Sequence, residues 1–169
     1  TAAVIWPTYE LDDKLFYDIK DSKKLSRKKR EILYDYIINN CIDYSISWVD
    51  EKLIDKINVL QADIKCFHKS LDKLKFKPTN ILVDGNYFKK YKNIPHDLII
   101  KGDNKYISIA AASILAKVEH DRYIKNICKQ YPYLKKYDLE NNMGYGTKKH
   151  KEAIHKYGLT KYHRLTFNK

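Results

Sequence analysis

Leu98-Ile99-Ile100-Lys101-Gly102-Asp103-Asn104-Lys105-Tyr106-Ile107-Ser108-Ile109-Ala110-Ala111-Ala112-Ser113-Ile114-Leu115-Ala116-Lys117 decides how this chain folds. Its first three residues read as the end of a buried strand, Lys-Gly-Asp as the turn that stops it, and the run from Ser108 as a helix reaching about Tyr131. Ala110-Ala111-Ala112 leave almost no side-chain bulk, so the first turns of that helix are expected to lie close against a sheet. Upstream, Ile81-Leu82-Val83-Asp84-Gly85-Asn86 is a second apolar run that ends in an aspartate. A carboxylate leaving the end of a strand stands at the rim of the sheet, where open α/β sheets bind their ligands. If the two strands are neighbours, Asp84 and Asp103 converge and can hold a hard divalent cation through oxygen ligands. The plainer reading is two strand-to-turn junctions, because Asp-Gly and Gly-Asp are ordinary turn dipeptides.

Working outward, the remaining strands and helices are spaced for an α/β sandwich, a central mixed sheet flanked by helices. Thr1 to Trp6 reads as one strand and Tyr44 to Val49 alternates as another. Between them Ile32, Leu33, Tyr36 and Ile37 mark one face of a helix that starts near Ser26. After Asp50, a helix N-cap, Leu53, Ile57, Leu60, Ile64, Phe67, Leu71 and Leu74 recur at helical steps and are expected to cover the sheet. Ser113, Lys117 and Asp121 fall on one line of the long helix, and Lys117–Asp121 is expected as a surface ion pair worth a few tenths of a kcal/mol. A last helix, roughly Lys148 to Tyr157, stops at Gly158. No repeat, low-complexity stretch or Pro/Gly hinge divides residues 1–169, so a single domain is expected.

The 169 residues carry a formal charge of +12. A strongly basic domain attracts phosphate backbones by releasing their condensed counterions, which makes nucleic acid the expected partner. Abundant Lys, Asn, Ile and Tyr also fit the compositional bias of an AT-rich genome, which raises Lys without any partner. Cys41, Cys66 and Cys128 are scattered and form no Cys-x-x-Cys pair, as expected of reduced thiols in a cytoplasmic protein rather than a disulfide frame or zinc site. No apolar run approaches the roughly 20 residues that span a bilayer, and no signal peptide is visible.

The quoted stretch, extended to Val118, resembles the signature of ribonuclease HII. So do Asp21-Ser22-Lys23-Lys24-Leu25-Ser26, Leu82-Val83-Asp84-Gly85-Asn86, Gly144-Tyr145-Gly146-Thr147 and His163-Arg164-Leu165-Thr166-Phe167, in the family's order. The resemblance implies a ribonuclease H-like fold and a Mg²⁺- or Mn²⁺-dependent endonuclease, acting as a monomer by two-metal phosphodiester hydrolysis. It would cleave the RNA strand of RNA–DNA hybrids and incise duplex DNA at embedded ribonucleotides. Asp84 and Asp103 match two of the family's four catalytic carboxylates. Tyr145 matches the tyrosine that packs on the nucleotide at the RNA–DNA junction. Lys23, Lys24 and Arg122 match phosphate contacts, and Asn58 and Gln61 match polar positions near the DNA strand.

Three positions depart from the family. Met143 stands where Lys usually precedes Gly-Tyr-Gly, which is expected to thin the phosphate contacts. His120 stands where Arg is common, for a weaker or pH-dependent contact, and Thr166 replaces a frequent Ser. The other two carboxylates belong to an Asp-Glu-Ala-Gly-Arg-Gly block that, in the family, lies just before the strand Thr1 enters, and no such block occurs here. Two ions about 4 Å apart need several convergent carboxylates to hold them beside phosphate oxygens. The expectation is therefore an N-terminally incomplete enzyme whose first, central strand is missing. The alternative, should Thr1 be the true start, is a catalytically inactive nucleic-acid-binding remnant.

Overall fold

The computed structural model describes residues 1–9, 11–20 and 22–168, apart from the side chains of Phe167 and Asn168. Asp21 and the Phe167 side chain, both in the family blocks quoted above, lie outside the described residues. In chain order the elements are β1 Ala2–Ile5, α1 Lys14–Asp18, α2 Arg27–Asn40, β2 Asp43–Ile46, α3 Glu51–Ile57 and α4 Val59–Lys73. They continue with β3 Ile81–Asp84, β4 His96–Ile99, α5 Ile107–Gln130, α6 Leu139–Asn142 and α7 Lys148–Tyr157. Short 3₁₀ turns cover Ser22–Lys24, Gly102–Asn104, Pro132–Tyr137 and Leu165–Asn168.

Side-chain caps set several of these boundaries. Ser26 Oγ takes the Lys29 N–H at the start of α2, Asp50 takes the Leu53 N–H at α3, and Thr147 takes the His150 N–H at α7. Each satisfies one of the backbone donors that a helix start leaves without an internal partner. The apolar stripe from Leu53 to Leu74 does not form one helix. It breaks at Asn58, whose backbone sits at φ 64° and whose Oδ1 takes the Gln61 N–H, so one residue closes α3 and caps α4. With ψ at 165° this backbone lies in a region that strains any residue with a side chain, and Asn58 offsets part of the strain by taking a backbone donor.

The expected central sheet is divided. β1 and β2 form an antiparallel pair with Ala2 opposite Ile46, and β3 and β4 form a parallel pair with Asp84 opposite Ile99. Among the described residues neither the second edge of β1 nor that of β3 is paired. A cleft of about 690 Å³, lined by residues of β1, β3, α4 and α5, separates the two pairs. Strands pair only when about 4.7–4.9 Å apart, so the cleft keeps the two sheets from joining.

The main core packs α2 against α5 and β1, with Leu33, Ile37, Ala111, Ile114 and Leu115 fully buried. Ala110 and Ala111 let α5 approach β1 closely, as the alanine run suggested. A second cluster joins the C-terminal half of α5 to α6 and α7 through Ile127, Cys128, Leu134, Tyr137, Leu139 and Ala153. A third, of Ile81, Val83, Phe88 and Tyr91, receives Phe67 and Leu71 from α4. The inward side of β3 is thus fixed, and Asp84 is left exposed at its end.

Candidate active site

Parallel pairing of β3 and β4 ends both strands on one rim, and the Gly102–Asn104 turn follows directly. The Gly102 N–H donates to Asp84 Oδ1 at 2.9 Å, so the first aspartate is hydrogen-bonded to the residue preceding the second. Gly102 is there because of close approach. A Cβ on it would lie 2.5 Å from Ile109 Cδ1 and 3.3 Å from Ile99 Cβ. Asp103 is half-buried, and its Oδ1 takes a hydrogen bond from Asn104 Nδ2 at 3.1 Å.

The Lys23–Lys24 block arrives at the same rim. Ser22 Oγ and Ser113 Oγ lie 2.9 Å apart, fastening the Ser22–Lys24 turn to α5. Arg30 clamps it from α2, donating to the Ser22 and Leu25 carbonyls at 2.9 and 2.6 Å. Lys24 Nζ then reaches Asn104 Oδ1 at 3.3 Å, one residue from Asp103. A lysine and two carboxylates are thereby assembled from three separate stretches of chain.

One turn further along α5, Lys117 Nζ lies 4.7 Å over the Tyr145 ring. That ring is 59 % exposed on the loop between α6 and α7. Gly144, at φ 79°, makes the turn possible and donates its N–H to Asn142 Oδ1 at 2.8 Å. Met143, where thinner phosphate contacts are expected, is 4 % exposed and packed inward, so its side chain serves the core.

The surface pair expected of Lys117 and Asp121 is a buried network. Asp121 is 2 % exposed and receives Lys117 Nζ at 2.7 Å, His120 Nδ1 at 3.3 Å and Arg30 Nη2 at 3.5 Å. Burial alone would raise its carboxyl, but the hydrogen bonds from Lys117 and His120 and the Lys117 charge hold it below the usual range. The sequence showed the i, i+4 spacing but not the burial, which depends on α2 crossing α5.

Asn58 and Gln61 occupy the start of α4, away from the Gly102 turn in sequence but tied to the β3 side. Gln61 Oε1 accepts from Lys89 Nζ at 2.8 Å, in the loop that follows Asp84. The family's C-terminal block docks beside them: Asp55 takes the Leu165 and Thr166 N–H groups and the Thr166 hydroxyl at 2.7–3.0 Å. Arg122 stands elsewhere. Its guanidinium pairs with Glu31 at 2.6 Å and Glu119 at 3.0 Å, and lies 4.2 Å over the Tyr34 ring.

These features define an α/β protein with two carboxylates at the carboxyl rim of a parallel strand pair, a basic turn beside them and an exposed tyrosine nearby. The ribonuclease HII family model matches residues 1–169. A ribonuclease HII from Bacteroides fragilis is 47 % identical over 167 residues, 99 % of this chain and 80 % of that protein. Among solved structures, ribonuclease H2 from Pyrococcus horikoshii superposes with a TM-score of 0.70 at 27 % identity, covering 88 % of this chain and 76 % of that one. A chain of the PCNA:RNase HII complex from Archaeoglobus fulgidus shares the fold, with a TM-score of 0.74, 23 % identity, and coverage of 99 % and 83 %. The chain belongs to the ribonuclease HII family, whose members are ribonuclease H enzymes with a ribonuclease H-like fold.

Proposed function

We propose that this protein cleaves the RNA strand of RNA–DNA hybrids and incises duplex DNA at embedded ribonucleotides, with Asp84 and Asp103 as ligands of Mg²⁺ or Mn²⁺. The observation that supports the reading is the Gly102 turn: its N–H holds Asp84 Oδ1 at 2.9 Å, and Asp103 is the next residue on the same strand rim. Two hard oxygen donors fit part of the shell of such an ion, the rest being left to water and phosphate oxygens. Among the described residues no group of three or more His, Cys, Asp or Glu joins them. The two-ion form of the reaction therefore needs further carboxylates. When bound, the divalent ion supplies Lewis acidity and an activated water for phosphodiester hydrolysis.

The other residues bind and orient. Lys24 beside Asn104 and neighbouring Lys23 meet phosphates near the scissile bond. Tyr145 offers a ring face to a nucleotide, and its Lys117 neighbour adds positive charge. Asn58 and Gln61 line the approach of the DNA strand. Arg122 would contribute only by exchanging one of its carboxylate partners for a phosphate.

The test is strand cleavage of a duplex with one embedded ribonucleotide, against an all-DNA duplex of the same sequence, by the natural full-length protein in Mg²⁺ and in EDTA. Metal-dependent incision confined to the ribonucleotide strand is expected. Equal cleavage of both duplexes, or cleavage in EDTA, would overturn the proposal.

A further inference from the structure

Behind the Tyr145 loop lie two buried histidines to which none of the roles above is assigned. His150 is 6 % and His163 8 % exposed. The Thr160 backbone N–H, which can only donate, lies 3.0 Å from His163 Nδ1. That nitrogen must therefore be bare, and in a neutral imidazole the proton then sits on Nε2. His163 Nε2 lies 3.1 Å from His150 Nε2, which must accept and leaves the second ring protonated on Nδ1. His150 Nδ1 stands 2.9 Å from the Tyr145 carbonyl, which can only accept. Every link forces the next, and the one consistent pattern has both rings neutral.

The surroundings favour that neutral pattern. The Tyr137 ring packs 4.9 Å from the His163 ring, and its hydroxyl donates to the Gly158 carbonyl at 2.8 Å. The Thr160 hydroxyl lies 2.8 Å from His163 Nδ1. Lys136 sits over the Tyr137 ring, Lys151 follows His150 on α7, and Lys161 and Arg164 flank His163 in sequence, all positive. Among the described residues no carboxylate pairs with either ring. A proton added to His163 Nδ1 would face the Thr160 N–H. One added to His150 Nε2 would face the His163 N–H across 3.1 Å. Either addition breaks a link.

We propose that His150 and His163 are positioning residues for Tyr145: a two-imidazole relay that fixes the Gly144–Gly146 turn while neutral and releases it when protonated. The inference rests on the reading of Tyr145 as a nucleotide contact. It assigns the relay no contact with substrate. Burial, and then the neighbouring His150, hold the His163 pKa below its ordinary value, against the Thr160 backbone, which raises it.

Single-turnover incision at one embedded ribonucleotide, measured with the natural full-length protein in Mg²⁺, tests this together with hybrid affinity. At pH 8, His150→Ala should slow incision about tenfold, the cost of a loosely held contact, with affinity and its salt dependence unchanged. His150→Asn, which keeps an amide donor near the Nδ1 position, should recover most of the rate. On acidification through the His163 titration, which lies below the ordinary histidine value, the wild-type rate should approach that of His150→Ala. In a Tyr145→Ala background, His150→Ala should add no further loss, because coupled residues are non-additive. A full extra loss there, or a gap between wild type and His150→Ala independent of pH, would overturn the relay. A normal rate for Tyr145→Ala would instead overturn the reading of Tyr145 itself. Long-range ¹H–¹⁵N spectra supply a readout independent of activity and of variants. His163 should carry its proton on Nε2 and His150 on Nδ1 at pH 8, and the opposite tautomer at either position would end the proposal.

Discussion

Lys117 Nζ stands 4.7 Å over the Tyr145 ring and, in the same position, 2.7 Å from Asp121 Oδ1. One ammonium group thus links the buried end of the α2–α5 interface to the most exposed ring of the candidate site. The carboxylate fixes the cation, and the cation fixes the face that the ring presents. A cation over an aromatic face is worth roughly 0.5–2 kcal/mol, depending on how dry the contact is.

Replacing that lysine should therefore separate its charge from its packing. Lys117→Met leaves Asp121 with only Arg30 and His120, and should cost about 2 kcal/mol of stability, since a buried carboxylate that loses one of several partners pays part of its desolvation. Lys117→Arg keeps a cation for both neighbours and should lose less than half as much. Urea unfolding of the three proteins checks the order, and equal losses for Met and Arg would place the stabilisation in packing rather than charge.

Asp121 also sets a pH dependence. Its folded pKa lies below the ordinary carboxylate value of about 3.9. The group therefore contributes stability that is complete above that value and disappears as pH falls through the lower folded one. Thermal unfolding of wild type and Asp121→Asn should converge as pH falls through the depressed folded pKa and separate above it, with the wild type the more stable. Parallel curves across the acid range would show that the charge contributes nothing.

Asp84→Asn keeps the shape and an oxygen for the Gly102 N–H but removes one negative charge. Incision by the natural full-length protein should fall at least about a hundredfold, because loss of metal-assisted charge stabilisation is worth several kcal/mol. Hybrid affinity measured in Ca²⁺ should be nearly unchanged. Near-normal cleavage at saturating Mg²⁺ would remove Asp84 from the ligand set.

Tyr145→Ala separates recognition of the junction from general electrostatics. Stacking on a base is worth on the order of 1–3 kcal/mol, whereas phosphate contacts are sequence-blind and fall with salt. The variant should incise an embedded ribonucleotide ten- to a hundredfold more slowly, about what that stacking energy implies, with the KCl slope of binding unchanged. A uniform loss of affinity, with incision of the bound complex intact, would make the ring an ordinary scaffold aromatic.

Asn58 gives a prediction with two signs. At φ 64° the backbone suits glycine, while the side chain caps α4. Asn58→Gly should be within a few tenths of a kcal/mol of wild type, and Asn58→Ala should lose about 1–2 kcal/mol, combining the lost cap with strain. Chemical unfolding reads this directly. A contact from Asn58 to DNA would appear as weaker hybrid binding by Asn58→Gly despite an unchanged midpoint.

Much of this was legible in the sequence because it depends on neighbouring residues. The apolar runs ending in Asp84 and Asp103, the alanine-lined start of α5, the caps at Ser26 and Asp50 and the stop at Gly158 all follow from local chemistry. The resemblance added the family and the roles of individual residues. What the sequence did not reveal depends on contacts between distant stretches. The burial of Asp121 needs Arg30 from a helix 91 residues away, and the break at Asn58 overrides a stripe whose spacing favoured one helix. The division of the sheet depends on strand partners, which no local pattern encodes. The His150–His163 contact joins α7 to a turn that carries no periodic signal.

The open edges of β1 and β3 face the same trench, walled by Phe67, Leu71, Ile81 and Val83 from one side and by Ala2 and Val4 from the other. Ala2 and Val4 on one wall and Ile81 and Val83 on the other belong to different sheets, so α4 and α5, which line the trench between them, carry the mechanical connection that backbone pairing supplies in a continuous sheet.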